Sequence, residues 1–530
     1  MIFFARRVRR TPRFKPLRDG AIRAIALLVI LVGPCVPAHA FDLRDVVAKA
    51  KALAARSYQA PTPIPKFLRE LSFDEYQGIR FNPDRSLWRT AHARFQVMLV
   101  PPGLYYTNVV RINVVDGTGV HRIPFQKDDF DFSSQELEKR IPADLGYAGF
   151  KLTYPLNGPK VQNQFLVFAG ASYFRGVGKG NAFGLSARGV AVDTGLPSGE
   201  EFPSFIEYWL VRPSADAHAM TFYALLNGKS LTGAYRFTVY PGSPTMLQVK
   251  VVLFPRAPIQ LPGIAPLTSM FFYGANTARP PGEWRPQVHD SDGLLIHNGG
   301  TGEWLWRPLL NPKQLQMYYF NTENVRGFGL LQRETGFSDY QDPGARYDER
   351  PSAWVAPQGD WGKGQVILLE LPASAETNDN MVAFWSPSEK ADVGKPMTLS
   401  YDLSFGDDGV AKEPMGYAAA TFVGNGNIIG GGSTHGAYRV IVDFAGGPLA
   451  TLAPTAPVVG QVTALDGGKL MEHYVEYVRP TRRWRLSILA KPAPGQPLSL
   501  RAFLQEDKKT LTETWTYHLP VHNDIVPGGG

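Results

Sequence analysis

Residues 236–253 read RFTVY-PGSP-TMLQVKVVL: Arg236–Tyr240, then Pro241-Gly242-Ser243-Pro244, then Thr245–Leu253. Two runs rich in β-branched and aromatic residues, split by a Pro/Gly corner, predict strand, turn, strand. The same pattern repeats outward. Phe95, Val97 and Leu99 alternate with Gln96 and Met98. Val110, Ile112 and Val114 alternate with Arg111 and Asn113, and the turn pair Asp116-Gly117 follows. From about residue 70 to 390 turn signals recur every ten or so residues. Runs of helical length are scarce and repeated βαβ alternation is absent. The prediction is an all-β chain whose main body is a large antiparallel β-sandwich. One helix stands before it: Leu43, Val46, Val47, Ala50, Leu53 and Ala54 share a face across residues 43–56.

A polar, Pro-flanked stretch at Ser386–Pro396 predicts a boundary. Strand patterns then resume at Leu399/Tyr401/Leu403, Val440/Val442/Phe444, Trp484/Leu486/Ile488 and Leu498/Leu500/Ala502. Their number and length suit a small C-terminal immunoglobulin-like β-sandwich. The expected division is a signal peptide at 1–40, the large domain at 41–388, a linker at 389–396, the small domain at 397–524 and a disordered tail at 525–530.

Charge narrows the function classes. The net charge is +8, but residues 1–23 hold eight Lys/Arg against the single acid Asp19, so the rest is close to neutral. That excludes the basic footprint of a nucleic-acid binder. The same head opens a leader: an arginine-rich start, the short apolar run Ala24–Gly33, and Ala38-His39-Ala40 before an expected cleavage. Arg9-Arg10-Thr11-Pro12 lacks the hydrophobic pair of a twin-arginine signal, which predicts ordinary export to a periplasm. Pro34 before Cys35 argues against a lipid anchor. Cys35 is the only cysteine and lies in the leader, so the exported chain would have no disulfide, thiolate nucleophile or Cys-ligated zinc.

Other motifs exclude more than they propose. Gly178–Gly184 and Gly424–Gly430 lack the spacing of a nucleotide loop. His289 and His297 lack an evident third or fourth ligand, and Asp128-Asp129-Phe130-Asp131 suits a solvated turn, so neither a metal nor a cofactor is expected. No G-x-S-x-G elbow occurs. Carboxylates set among aromatics between 283 and 385 remain. Aromatic faces pack on sugar C–H surfaces, and glycosidic cleavage takes one protonated and one ionised carboxyl. The same residues would equally serve arginine ion pairs and sandwich core.

Longer motifs separate these readings. Tyr173-Phe174-Arg175-Gly176 within Gly170–Gly189, Phe202-Pro203-Ser204-Phe205, Trp284-Arg285-Pro286 through His289-Asp290-Ser291-Asp292-Gly293, Gly302-Glu303-Trp304, Arg326–Arg333, Tyr340-Gln341-Asp342, Arg350–Val355, Gly359-Asp360-Trp361-Gly362 and Glu376-Thr377-Asn378-Asp379-Asn380 together resemble the periplasmic glucan biosynthesis G/D family. The leader favours the G branch. The resemblance implies a large β-sandwich with a cleft joined to an immunoglobulin-like domain, and a role in osmoregulated periplasmic glucans with β-1,2-linked backbones and β-1,6 branches. It further implies that some members are inverting endo-β-1,2-glucanases. Matching their motifs makes Asp379 of E-T-x-D-N the acid and Asp290, the first Asp of H-D-x-D-G, the base, with Asp292 as a substitute. Tyr340, Arg346, Trp304, Trp306 and Trp354 are the expected glucan contacts. A non-catalytic glucan-binding module and a transglycosylase assisting β-1,6 branching or backbone release are the alternatives. The expected partners are β-1,2-glucan and the membrane glucan synthase, with a homodimer also compatible.

Overall fold

The hairpin forms where its sequence predicts. In the computed structural model, which describes residues 41–427, 433–519 and 521, strands Leu231–Tyr240 and Thr245–Pro255 pair antiparallel from Leu231↔Pro255 to Tyr240↔Met246. Leu247, Val249, Val251 and Leu253 point into the core, while Gln248 faces water. The expected leader at 1–40 and tail at 525–530 lie outside the described residues.

The hairpin occupies the middle of a fifteen-stranded sheet. On one side follow Met220–Asn227, Ser204–Val211, Arg111–Asp116 and Gly119–Arg122. On the other follow Met397–Gly406, Ser352–Pro357, Gly327–Leu331, Gly293–His297, Trp304–Pro308, Thr514–Leu519, Leu498–Glu506 and Val459–Ala464, with Lys509–Thr510 paired to Leu498–Glu506 at the side. A ten-stranded sheet runs from Gln96–Val100 through Gly149–Tyr154, Asn163–Ala169, Tyr173–Gly176, Ser186–Arg188, Pro262–Ser269, Met381–Pro387 and Lys363–Glu370 to Gln316–Glu323, with Val190–Val192 paired to the side. Side chains of both sheets share one apolar core. At its centre Phe168 stacks on Phe150 and on Phe174, and Phe222 stacks on Phe237. Such offset and edge contacts add to the area the rings remove from water. This is the all-β layered architecture that the strand pattern predicts.

The segment 389–396 leads into strand Met397–Gly406, which hydrogen-bonds to Thr245–Pro255 and Ser352–Pro357 inside the large sheet. Late strands join the same sheet where Thr514–Leu519 lies parallel to Trp304–Pro308. Tyr417–Asn427, Ser433–Ala445, Arg483–Lys491 and Lys469–Val478 form a separate four-stranded sheet. Its inner residues Val440, Val442, Phe444, Leu486 and Ile488 share a second core with Leu295, Trp306, Trp354 and Trp515 of the large sheet.

The expected helix spans Leu43–Ala54. Asp42 accepts a hydrogen bond from the Arg44 N–H and Asp45 reaches back to the Asp42 N–H, which satisfies the first free donors of the helix. Val46 and Ala50 are buried against a cluster containing Trp209 and Tyr223. No described helix is long and apolar enough to cross a membrane.

Candidate active site

Two loops carry the acids, and one short strand holds both. Strand Phe271–Tyr273 pairs with Val288–His289, with Phe271 opposite His289. The Asp290 N–H then donates to Met270 O at 2.8 Å. From the other side, Asn380 clips its side chain onto the same backbone. Its Oδ1 accepts from Phe271 N at 2.9 Å, and its Nδ2 donates to Phe271 O and Leu371 O, each at 3.0 Å. Asn380 is buried, and this staple satisfies backbone groups that the short strand leaves open. Asp379 therefore hangs beside Asp290, close enough that its charge acts on the Asp290 carboxyl.

The two carboxyls differ in their surroundings. Asp290 is buried and its Oδ1 has no hydrogen-bond partner. Burial pushes its pKa up to about 6, against the pull of Arg350, whose Nε lies 3.7 Å from that oxygen. Arg350 cannot come closer without loss, because its guanidinium donates to Phe183 O and Ala345 O. The Asp379 side chain is one-third exposed and meets Arg175 Nη2 at 3.3 Å. The surrounding protein nevertheless raises its pKa, opposed by Arg175, Arg188 and Arg350. The pKa values of both carboxyls are raised above the usual range, that of the buried Asp290 to about 6, and a partly open acid beside a buried one with a free lone pair is an arrangement suited to proton donation and acceptance at one bond.

A second row of charge borders the pair. Arg285 bridges Glu376 at 2.6 Å, Asp342 at 3.2 Å and Glu283 at 2.8 Å. Tyr347 Oη donates to Glu376 at 3.2 Å. Asp342 also fixes its own turn by accepting from the Gly344 and Ala345 N–H groups, both at 2.9 Å.

Asp292 faces a different environment from Asp290. Its Oδ2 accepts from the backbone N–H groups of Arg333 and of Glu334, the latter at 2.9 Å, and its Oδ1 lies 3.4 Å from His289 Nδ1. Burial raises the pKa of both Asp292 and Glu334; the Asp292 charge raises Glu334 further, while the Glu334 and Arg333 N–H groups hold Asp292 down. His289, Asp292 and Glu334 are near enough together to hold a cation. However, both His289 ring nitrogens already face amide oxygens, Gln332 Oε1 at 3.0 Å and Gln287 Oε1 at 3.1 Å. A cavity of about 30 Å³ lies beside them. The glycine that closes the motif has a steric reason: a Cβ on Gly293 would stand 2.3 Å from the Trp306 ring.

The expected sugar contacts divide. Tyr340 is fully buried, its hydroxyl donating to Glu334 O and accepting from Gln332 Nε2, both at 2.7 Å. Trp306 is buried beneath the Arg333 guanidinium at 3.6 Å, and Trp354 is buried over Gly327. Trp304 is half-buried between His297 at 4.1 Å and Trp354 at 5.7 Å. Tyr340, Trp306 and Trp354 offer no free face to a sugar: the two tryptophans stand on strands inside the fifteen-stranded sheet and Tyr340 on the short helix Phe337–Tyr340, packed against His289, while Trp304 keeps part of its surface. Arg346 keeps part of its surface but is committed to Asp348 at 2.8 Å and Glu349 at 2.5 Å. The residues that do surround the acids are Arg175, Arg188, Arg350, Tyr173, Tyr347 and Glu376. Each stands in or beside one of the long motifs, but nothing local separates an arginine facing an acid from a solvated one.

Asp290 gives a pH prediction. A carboxyl whose folded pKa is raised contributes stability that is present below its unfolded pKa and lost as pH rises through the folded value. The native state therefore loses stability through this group between pH 4 and about 6. Asp290→Asn removes that loss. Its stability relative to the parent should rise by roughly 3 kcal/mol between pH 4 and pH 8. Urea unfolding at the two pH values measures it, and an unchanged difference would refute the burial account.

The chain matches the family described as "Periplasmic glucan biosynthesis protein, MdoG" over residues 41–519. Among curated proteins it is 43% identical over 510 residues to "Glucans biosynthesis protein G" of Sodalis glossinidius, covering 95% of this chain and 98% of that one. It is 44% identical over 501 residues to the protein of that name from Ralstonia nicotianae, covering 94% and 99%. With the one from Pseudomonas aeruginosa (strain LESB58) the figures are 42% over 523 residues, covering 96% and 99%.

Proposed function

Because this chain belongs to the periplasmic glucan biosynthesis protein family, we propose that it acts in the periplasm on β-1,2-glucan backbones as an inverting endo-glucanase. One observation carries the catalytic part: Asp379, partly open and facing Arg175, acts electrostatically on Asp290, whose buried Oδ1 is unpartnered.

In this reading the two environments are used in turn. Asp379 gives its proton to the glycosidic oxygen as the C1–O bond breaks. A water attacks C1 from the opposite face and loses its proton to Asp290, directly or through a hydroxyl chain. Inversion needs room for that water, and a buried acceptor without a partner provides the lone pair for it. Once Asp379 has ionised, Arg175 at 3.3 Å stabilises the carboxylate. Arg285, Glu376 and Tyr347 supply hydrogen-bonding groups for sugar hydroxyls. In this reading the membrane glucan synthase delivers the polymer, and the leader at 1–40 carries the chain to meet it.

The Arg175 contact also favours a second reading. An arginine so near favours the charged form of Asp379, which would then accept sugar hydroxyls and bind the chain without cutting it. Incubating purified protein with linear β-1,2-glucan separates the readings. The expected result is shorter chains whose new reducing ends are first α-anomers by NMR. Binding without shortening would establish the binding module, and longer or branched products a transferase.

A further inference from the structure

Among the described residues most large aromatics are buried or half-buried; Phe202 is 53% and Trp284 62% exposed, and Phe73, Tyr105 and Tyr319 are exposed to a similar or greater degree. An apolar ring left in water forgoes the stabilisation of burial, so one held out on pinned backbone points to a ligand. Phe202 and Trp284 are both pinned. Phe202 follows two anchored acids. Glu200 takes Arg188 Nη1 at 2.5 Å and Thr194 Oγ1 at 2.7 Å, while both Glu201 oxygens accept from Ser230 N at 3.1 Å. Pro203 comes next and restricts the backbone at Phe202 itself. Trp284 donates its backbone N–H to Glu283 Oε1 at 2.9 Å, and Glu283 grips Arg285 at 2.8 Å.

Contacts lead from each ring to the acids. Behind Phe202, the buried Arg188 guanidinium lies 5.7 Å from its ring and 4.6 Å from the Tyr173 ring. Tyr173 and Arg175 stand two apart on strand Tyr173–Gly176, hence on one face, and Arg175 reaches Asp379. Beside Trp284, Arg285 reaches Glu376, three residues before Asp379. Phe202, Arg188 and Tyr173 thus lead toward Arg175 and Asp379 from one motif, and Trp284 and Arg285 lead to Glu376 in the Asp379 loop from another.

We propose that Phe202 and Trp284 are sugar-stacking platforms on the two sides of Asp379, so that a β-linked glucan chain binds across the acids with pyranose rings engaged at both ends. This rests on the glucan reading of the site. It adds which rings hold the sugars on either side of the bond to be cut. The C–H face of a pyranose covers the exposed ring face, and the neighbouring guanidinium donates to its hydroxyls.

Calorimetric titration of the full-length exported chain with linear β-1,2-glucan tests this. Phe202→Ala and Trp284→Ala should each weaken binding about tenfold or more. Phe202→Trp should restore most of the loss. Phe73→Ala, which removes a comparably exposed ring elsewhere, should leave affinity unchanged. Unchanged affinity in both platform variants would overturn the proposal while the glucan reading stands. Weakened binding in them, with a parent that never shortens the chain, would uphold the platforms and remove hydrolysis. A parent that does not bind β-1,2-glucan would overturn both.

Discussion

Asp379→Asn should stop the shortening of linear β-1,2-glucan, lowering the rate by about 10²–10⁴-fold or more, while the unfolding midpoint stays near that of the parent. The rate falls because an amide has no proton to give, and general acid catalysis contributes about that factor. Stability holds because the Asp379 side chain is one-third exposed and its ion pair to Arg175, at 3.3 Å, is partly screened by water. The neighbouring Asn380 holds the loop in place through Phe271 and Leu371 and is untouched. Chain-length analysis with thermal unfolding reads both effects. Full activity in the variant would remove Asp379 from the chemistry.

Arg333→Met should cost about 3–5 kcal/mol of stability, the penalty for leaving a buried charge unpaired. Arg333 is buried over Trp306 and meets Glu513 through both carboxylate oxygens, at 2.6 and 2.9 Å. It also meets Glu413 at 3.3 Å and donates to Ala418 O at 3.0 Å. Without it, the fully buried Glu513 keeps the Ala418 N–H at 2.8 Å. Burial and the adjacent Glu513 raise the Glu413 pKa far above the usual carboxylate range, so that Glu413 is neutral at pH 7. Glu413→Gln should then change stability by less than about 1 kcal/mol, since it replaces one neutral group with another. Denaturant unfolding of the two variants at pH 7 measures the contrast. Equal losses would mean that Glu413 carries a charge. The same cluster bears on the site, because the Arg333 backbone N–H donates to Asp292 in the acid-bearing loop.

Local signals identified what depends on short stretches of chain. The hairpin at 236–253 and the helix at Leu43–Ala54 could be read because alternation, turn residues and caps act within a few residues. The tryptophans could not. Trp304, Trp306 and Trp354 look like sugar platforms in sequence, yet neighbouring strands and the four-stranded sheet bury Trp306 and Trp354 and cover part of Trp304. Phe202 and Trp284, which carry no stronger local signal, are left open beside arginines that lead to the acids.

From its residues alone this chain is determined to be layered antiparallel β-structure carrying two acid-bearing motifs of a glucan biosynthesis family. Tertiary structure decided which oxygens of those motifs are free. Asp290 and Asp292 stand two residues apart, but one is left with an unpartnered Oδ1 and the other is capped by the N–H groups of Arg333 and Glu334. The reason is physical: burial and hydrogen-bond competition are set by partners distant in the chain. Phe271 meets Asn380 across 109 positions and Arg175 meets Asp379 across 204, separations over which no local pattern carries information.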